Sequence, residues 1–340
     1  MIASLVEDAT RTDAQIAELN GMKAGTVATV RRRLMDAGAV FYVNVPAFNR
    51  LGCEMMACHL GTMDPAQSFE SKTSDYMEFV KSSPQIFDAI IGAKSIAFYS
   101  VLRNATELEN LKAHHSRFFS GDRKRSMARI SSISFPYSVS KGTYALNYAP
   151  TVRRFFRLDS PCGAVCEPTS VEVTSPDLTE NEKKVLTAIV ENPGEPDRAI
   201  AARVGISRQS VTRIRNKLDE EGYFRLVCVP RLYRWGFEIF SVVRVFFSSD
   251  FAYSDRADSQ PKEPVMYSFF SLIKAEEAIA NHMIWSFHDY TKGLDAGLAW
   301  YHRENAFEEN PMITLLSLEH CLELRTHDFA PALRHVLERC

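Results

Sequence analysis

The sequence predicts an α+β protein that contains the same unit twice. Three observations support this prediction. The chain aligns with itself when it is shifted by 184 positions, each copy begins with short amphipathic helices separated by glycines, and segments rich in β-branched and aromatic residues follow those helices. With 340 residues, 46% of them hydrophobic, the chain is long enough for two or more domains, each with its own core.

The self-alignment is the strongest of these observations. Residues 1–54 align with residues 185–238 without a gap, and sixteen of the 54 positions are identical. For ordinary composition, chance would give about three or four identities. Two glycine pairs are in register, Gly21 with Gly205 and Gly38 with Gly222. Because the shift is about half the chain, the period is too long for a solenoid and indicates two similar halves.

The second copy has clear signals for three helices. Thr179 and Glu182 have the spacing of a capping box at the start of the first helix. The second helix ends at Gly205, whose missing Cβ permits the left-handed turn of a tight helix junction. Ser207 is a suitable N-cap for the third helix, which ends at Gly222.

The third helix and the segment after it complete a known motif. Val211, Ile214 and Leu218 lie on one helix face and are predicted to be core, and residues 223–229 alternate like a strand. Three short helices, a glycine turn and a β wing form a winged helix-turn-helix. We place one such module at residues 178–230 and the other at residues 1–46, where residue 1 aligns with the middle of the first helix and Val27 and Val30 are predicted core residues.

A family resemblance extends this interpretation. Residues 197–222 (DRAIAARVGISRQSVTRIRNKLDEEG), followed by a strand and by Arg234, Trp235 and Gly236, resemble the DNA-binding half of the Lrp/AsnC transcription regulators. The resemblance implies that a ferredoxin-like βαββαβ sensor domain, which dimerises and can bind amino acids, follows each helical module. These domains are expected at residues 47–140 and 231–327, with a linker at 141–177 and a C-terminal helix or tail at 328–340.

The first sensor copy fits this pattern element by element. Strands are expected at residues 54–60, 86–91, 95–102 and 128–137, and helices at 68–82 and 106–118. The second copy departs from it, because residues 248–264 are polar, contain proline and are predicted to be a loop where the first sensor helix should lie.

The predicted DNA-binding residues lie on the exposed face of the third helix of each module, where base edges and phosphates are contacted. Runs of charged residues more often form a solvent-exposed helix face without a ligand. Their position on a recognition helix favours DNA binding here. The second copy is expected to read sequence, and the first to anchor the chain to phosphates. The candidates are Ser207, Arg208, Gln209, Ser210, Thr212, Arg213, Arg215 and Lys217 in the second copy, and Lys23, Thr26, Arg31, Arg32 and Arg33 in the first.

The resemblance also implies a place for an effector. Family sensors often carry a glycine and an aspartate between the middle strands; here Gly92 is kept and Ser95 stands where the aspartate would fall. These two residues are the effector candidates, and Glu276 and Glu277 lie in the corresponding part of the second copy. The expected partners are double-stranded DNA and a small-molecule effector. One chain would form an intramolecular pseudo-dimer, with a homodimer as an alternative.

Two other functions stay open. Siroheme decarboxylases are similar in architecture, with paired Lrp/AsnC-like units that bind a tetrapyrrole, but residues 46–58 and 230–240 lack the histidines of their motifs. Nucleotide-binding, serine-hydrolase and zinc-protease motifs are also missing from the sequence. We therefore predict no enzyme and no cofactor. Winged helices also serve as protein-interaction modules, so the fold alone does not prove DNA binding.

Charge and cysteine content set the remaining expectations. The net charge is −2, so any DNA-binding surface must be local. Seven cysteines without a C-x-x-C pair favour a reducing compartment, and Cys162 and Cys166 are expected to be spectators rather than a redox pair. Because the sequence shows neither a signal peptide nor a membrane span, we expect a cytoplasmic protein. Five histidines crowd the second sensor half beside Cys321, but without zinc-site spacing, so no metal site is predicted: His282, His288, His302, His320 and His327.

Overall fold

The computed structural model describes residues 1–158, 171–248 and 268–338. The first half of the chain begins with three helices and continues through a mixed series of strands and helices. The elements are α1 (Ile2–Glu7), α2 (Asp13–Leu19), α3 (Ala24–Asp36), β1 (Val40–Pro46), β2 (Met55–Thr62), α4 (Phe69–Ser82), β3 (Ile86–Ile91), β4 (Ser95–Leu102), α5 (Ala105–Phe118), β5 (Arg129–Pro136), β6 (Ser140–Ala145) and α6 (Ala149–Phe155).

The second half has its elements in the same order wherever it is described. They are α7 (Glu180–Glu191), α8 (Asp197–Val204), α9 (Arg208–Glu220), β7 (Phe224–Pro230), β8 (Ile239–Phe246), β9 (Ser268–Lys274), β10 (Glu277–Ile284), α10 (Phe287–Arg303), β11 (Met312–Ser317), β12 (Leu322–Arg325) and α11 (Ala330–Leu337). Residues 249–267, between β8 and β9, are not described. The loop predicted at 248–264 therefore lies, apart from residue 248, outside the described residues.

The predicted helix ends are confirmed in the second copy. The Thr179 hydroxyl accepts from the Glu182 N–H and the Glu182 carboxylate accepts from the Thr179 N–H, which is a complete capping box. The Ser207 hydroxyl accepts from the Ser210 N–H at 3.1 Å and caps α9. Gly205 has φ +76° after α8, as a left-handed helix cap requires. In the first copy α1 has six residues against twelve in α7.

The described residues divide into two compact units, and each combines the helical module of one half with the sheet of the other. Unit 1 contains residues 1–41, 139–158, 228–248 and 268–320; unit 2 contains residues 42–138, 171–227 and 321–338. β1 and β7 pair in a two-stranded sheet.

The five-stranded sheet of unit 2 has the order β12-β3-β4-β2-β5. Four of these strands come from the ferredoxin-like βαββαβ segment, with every adjacent pair antiparallel. The fifth strand, β12, comes from the end of the chain and pairs antiparallel with β3. The core of this unit is aromatic, with Tyr76, Phe79, Phe98 and Phe119 among its largest buried side chains.

The sheet of unit 1 follows the same plan with the order β11-β8-β10-β9-β6. Here the fifth strand is β6, which pairs antiparallel with β9. The neighbouring helix α6 packs on α1, and Val152 of α6 is fully buried. In unit 2, α11 packs on α7 in the same manner. The fold is thus α+β, with winged helix-turn-helix and ferredoxin-like parts.

Two predicted boundaries need correction. The segment 141–155, which is predicted to be part of a linker, contains most of β6 and all of α6. Residues 322–325, assigned to the second sensor domain, extend the sheet built from the first. Both strands are short and complete a sheet formed by distant residues, so local sequence patterns do not reveal where they pair. Among the described residues, no helix combines the length and apolar character that a membrane span requires.

Candidate nucleic-acid interface

Helix α9 has one buried and one exposed face. Val211, Ile214 and Leu218 point into unit 2 and are buried, as predicted. The opposite face is exposed and carries four of the predicted DNA-binding residues: Arg208, Gln209, Thr212 and Arg213. The outer face of α9 is therefore accessible, which is the arrangement that a recognition helix requires.

The structure adds one residue to this face. Asn216 is exposed and, together with Ser207 and the four residues above, lines a shallow surface groove along α9. Asn216 is not among the predicted residues, although its position three and four residues after Arg213 and Thr212 places it on the same helix face. Its amide can form the paired hydrogen bonds that recognise adenine. Ser210 is half-buried, and its N–H is used by the cap at Ser207.

Two basic residues of α9 that are predicted to bind DNA form ion pairs within their own module. Arg215 lies 2.7 Å from the Asp197 carboxylate of α8, and Lys217 lies 2.8 Å from the Glu182 carboxylate of α7. Each is partly buried, and the two ion pairs join α9 to α8 and α7. Contact of these two residues with DNA stays a prediction.

An equivalent ion pair forms in unit 1. Arg31 of α3 lies 2.8 Å from the Asp13 carboxylate of α2 and donates to the Arg11 carbonyl at 2.9 Å. This residue aligns with Arg215, and Asp13 aligns with Asp197. Arg31 therefore joins α3 to α2 in the same way, and its contact with phosphates stays a prediction. Lys23, Thr26, Arg32 and Arg33 are exposed.

The two recognition helices differ at their N-terminal ends. Ser207 caps α9 with its side chain, whereas Lys23 occupies the equivalent position of α3 and makes no side-chain cap hydrogen bond. At the other end of α3, the Arg234 guanidinium donates to the Ala37 carbonyl at 2.7 Å, which suits the negative end of the helix dipole.

We expect Arg215→Ala to destabilise the helical module of unit 2 by about 1 kcal/mol, because it removes a partly buried ion pair that joins α9 to α8. Hydrogen exchange of the α9 amides measures this effect. Arg198→Ala, which truncates an exposed arginine of α8, is the matched control. In a double-mutant cycle with Asp197→Ala, additive losses would contradict the bracing role.

The remaining candidates are the residues considered for an effector, a metal ion and a redox pair. The Gly92 N–H donates to the Ser95 carbonyl at 2.8 Å and closes the tight connection between β3 and β4; an effector role for these residues stays a prediction. Among the described residues, no three histidine, cysteine or acidic side chains form a group that could hold a metal ion. Within unit 2, the His327 Nδ1 atom lies 3.1 Å from the Asp88 carboxylate, which raises the pKa of His327. Cys162 and Cys166 lie outside the described residues.

Comparison with known proteins identifies the second helical module. Residues 178–225 match the winged helix-turn-helix DNA-binding family. The match covers α7, α8, α9 and the start of β7, the segment that carries the exposed face described above. No curated protein matches the chain.

Solved structures are similar to the chain at low sequence identity. The siroheme decarboxylase NirDL is 13% identical, with 96% of this chain and 93% of that chain covered and a TM-score of 0.51. Its complex with an iron-uroporphyrin III analogue has a TM-score of 0.50. A transcriptional regulator from Neisseria meningitidis in complex with L-Met (12% identity, 41% of this chain and 89% of that chain, TM-score 0.33) and Escherichia coli AsnC (10%, 41%, 91%, 0.32) are also similar. At these identities the likeness to NirDL shows the fold alone.

Proposed function

We propose that this protein is a cytoplasmic DNA-binding transcriptional regulator in which α9 reads sequence and α3 anchors the chain to the DNA backbone. One observation carries the proposal: α9 lies in a winged helix-turn-helix, with its apolar face buried and a polar, cationic face left exposed. That face carries the residue types that contact base edges in the major groove.

The side chains on α9 suit base edges. Arginine recognises guanine through two hydrogen bonds, and glutamine and asparagine recognise adenine in the same way. Arg208, Gln209, Arg213 and Asn216 provide these groups within about two helical turns. Arg215 and Lys217 position the helix, so the four outer residues carry the proposed sequence specificity.

Helix α3 lacks the base-reading side chains that α9 carries at its N-terminal end. Positions that align with Arg208 and Gln209 are Ala24 and Gly25, which offer no base-reading group. Exposed Arg32 and Arg33, with Lys23 at the first turn, provide positive charge for phosphates. A regulator with one reading and one anchoring helix would favour an asymmetric operator.

We propose that the two halves arose by internal duplication and act as a pseudo-dimer, with the recognition helices serving half-sites about one DNA turn, or 34 Å, apart. Control by an effector would then be an equilibrium effect. A ligand that binds one arrangement of the sensor domains more tightly shifts the population toward it, and only this difference in affinity can change DNA binding.

Neutralising Arg32 is expected to weaken binding to all DNA sequences alike, because a phosphate contact carries no base information. In Arg32→Gln, the slope of log affinity against log salt should fall by about one. Fluorescence anisotropy with labelled duplexes over a range of salt concentrations measures this slope. Arg117→Gln, which changes an exposed arginine of α5, is the control and should keep the wild-type slope. An unchanged slope in Arg32→Gln would remove α3 from the interface.

The likeness to NirDL over the whole chain keeps a tetrapyrrole enzyme as the second candidate. Against it stands the absence of histidine from residues 46–58 and 230–240. The two functions are separated by adding siroheme to the full chain. A regulator leaves the visible spectrum of siroheme unchanged, whereas a shifted absorption band together with loss of a carboxylate from the tetrapyrrole would favour the enzyme.

A further inference from the structure

A pocket of about 300 Å³ opens in unit 2 between α5 and the edge strand β5. It lies on the side of the sheet that α4 and α5 cover. Its apolar walls include Phe79 of α4, Phe98 of β4, Leu111 of α5 and Ile130 of β5. The volume is at the lower end of the range for small-molecule sites, so it limits the occupant to a small ligand.

The floor of the pocket is polar but uncharged. His59 of β2 is 2% exposed, and its two ring nitrogens lie 2.8 Å from the Ser132 hydroxyl and 2.9 Å from the Ser100 hydroxyl. Its ring stacks on Phe98 at 4.4 Å between centroids. Burial lowers the pKa of His59 to about 3, and the pKa of His115 to about 4. Both rings are therefore neutral near pH 7.

Positive charge lies at the rim. Lys112 of α5 and Arg129 at the start of β5 both line the pocket and are exposed, and none of the lining residues is acidic. Lys112 pairs with the exposed Glu109 at 2.7 Å. No carboxylate among the described residues lies within ion-pair distance of Arg129. Lys124 and Arg125, in the chain before it, are exposed as well but do not line the pocket.

We propose that this pocket binds a small arylcarboxylate, whose ring packs against Phe79, Phe98 and Leu111 and whose carboxylate pairs with Arg129 and Lys112. Aromatic rings favour edge-to-face or offset contact with an aromatic ligand, and a guanidinium can hold a carboxylate through two parallel hydrogen bonds. We further propose that this ligand is the effector of the regulator. This second step rests on the proposed function, whereas the binding step does not.

The residue at the centre of the polar floor differs between the two halves. The same shift of 184 positions places Val243, which is buried and apolar, opposite His59. The pocket is also separate from the Gly92–Ser95 connection, which contributes no lining residue. One chain should therefore bind one arylcarboxylate.

The binding test uses the full chain with three probes: phenylacetate, phenylacetamide and acetate. Phenylacetamide keeps the ring without the charge, and acetate keeps the charge without the ring. Titration calorimetry should show binding of phenylacetate at a 1:1 ratio, with at least tenfold weaker binding of the other two. Arg129→Gln should weaken phenylacetate binding at least tenfold. Arg125→Gln, which removes a nearby charge outside the pocket, should leave it within twofold.

A blocking variant checks the location. Ser116→Phe places a ring at the exposed rim position on α5 and should abolish binding while the melting temperature without ligand stays near that of the wild type. No binding of phenylacetate to the wild type would overturn the proposal. Equal losses in Arg129→Gln and Arg125→Gln would also overturn it, because they would indicate general attraction to a basic surface. Equal binding of all three probes would exclude an arylcarboxylate site.

The effector step is measured separately. Phenylacetate should change the DNA concentration for half-saturation by at least threefold in the wild type and leave it unchanged in Arg129→Gln. Phenylacetate binding without any DNA binding would overturn the proposed function and leave the pocket assignment standing. DNA binding without phenylacetate binding would overturn the pocket assignment and leave the proposed function standing. If both ligands bind with no effect on each other, the effector role is wrong.

Discussion

Replacing Arg213 by alanine is expected to weaken binding of the preferred DNA sequence by about 1–3 kcal/mol and to relax specificity at one base pair. Arg213 lies on the exposed face of α9, one turn from Gln209 and next to Thr212. A side chain that pairs with one base loses most of its effect on other sequences. The affinity for unrelated DNA should therefore fall much less than the affinity for the preferred site.

This prediction is measured by electrophoretic retardation with the preferred duplex and with duplexes changed at single base pairs. Arg203→Ala is the matched control, because Arg203 is an exposed arginine of α8 that pairs with Glu195 at 2.9 Å. It removes the same charge from the same module but not from α9. Equal effects of the two substitutions would show that charge alone matters and would contradict sequence reading by α9.

Acidification is expected to destabilise unit 2 through His59. Burial holds the pKa of His59 at about 3 in the folded protein, whereas an unfolded histidine titrates near 6.5. Below pH 6.5 the unfolded state therefore binds one more proton at this site than the folded state. Stability is fully present above pH 6.5 and falls by about 1.4 kcal/mol for each pH unit below it, until the folded pKa is reached.

Two variants isolate this effect. His59→Gln should reduce the pH dependence of unit 2 stability by about one proton between pH 6.5 and 4. Ser132→Ala removes a hydrogen-bond partner of His59 but keeps the ring, so it should lower stability by about 1 kcal/mol and keep the pH dependence.

Hydrogen exchange of the β2 amides follows unit 2 by itself, because β2 belongs to that unit. Tryptophan fluorescence would report unit 1 instead, because all three tryptophans belong to the segment at 228–320. Identical pH dependence in the wild type and His59→Gln would contradict a neutral, buried His59.

The local elements could be predicted from the sequence, because their signals are local. The capping box at Thr179 and Glu182, the serine cap at Ser207 and the left-handed Gly205 depend on residues within one turn of each other. The strands 86–91 and 95–102 were predicted with their observed bounds. The exposed face of α9 followed from the spacing of its apolar residues.

Long-range partners could not be predicted in the same way. The charge of Arg215 alone suggests a phosphate contact. In the structure its guanidinium lies 2.7 Å from the carboxylate of Asp197, which is eighteen residues earlier in the chain. The pairing of β12 with β3 joins residues more than 200 positions apart, and no periodicity reports it. The pocket at His59 depends on side chains from five elements of one unit, so it exists only after the sheet and helices have packed.

The most direct test of the central claim is binding selection from random duplexes with the full chain and with a variant in which Arg208, Gln209, Arg213 and Asn216 are all alanine. These side chains are exposed, so the variant should keep its fold, which a melting curve verifies. The wild type is expected to enrich a defined sequence, and the variant is expected to enrich none. The same enriched sequence from both proteins, or no enrichment by the wild type, would contradict DNA recognition by α9.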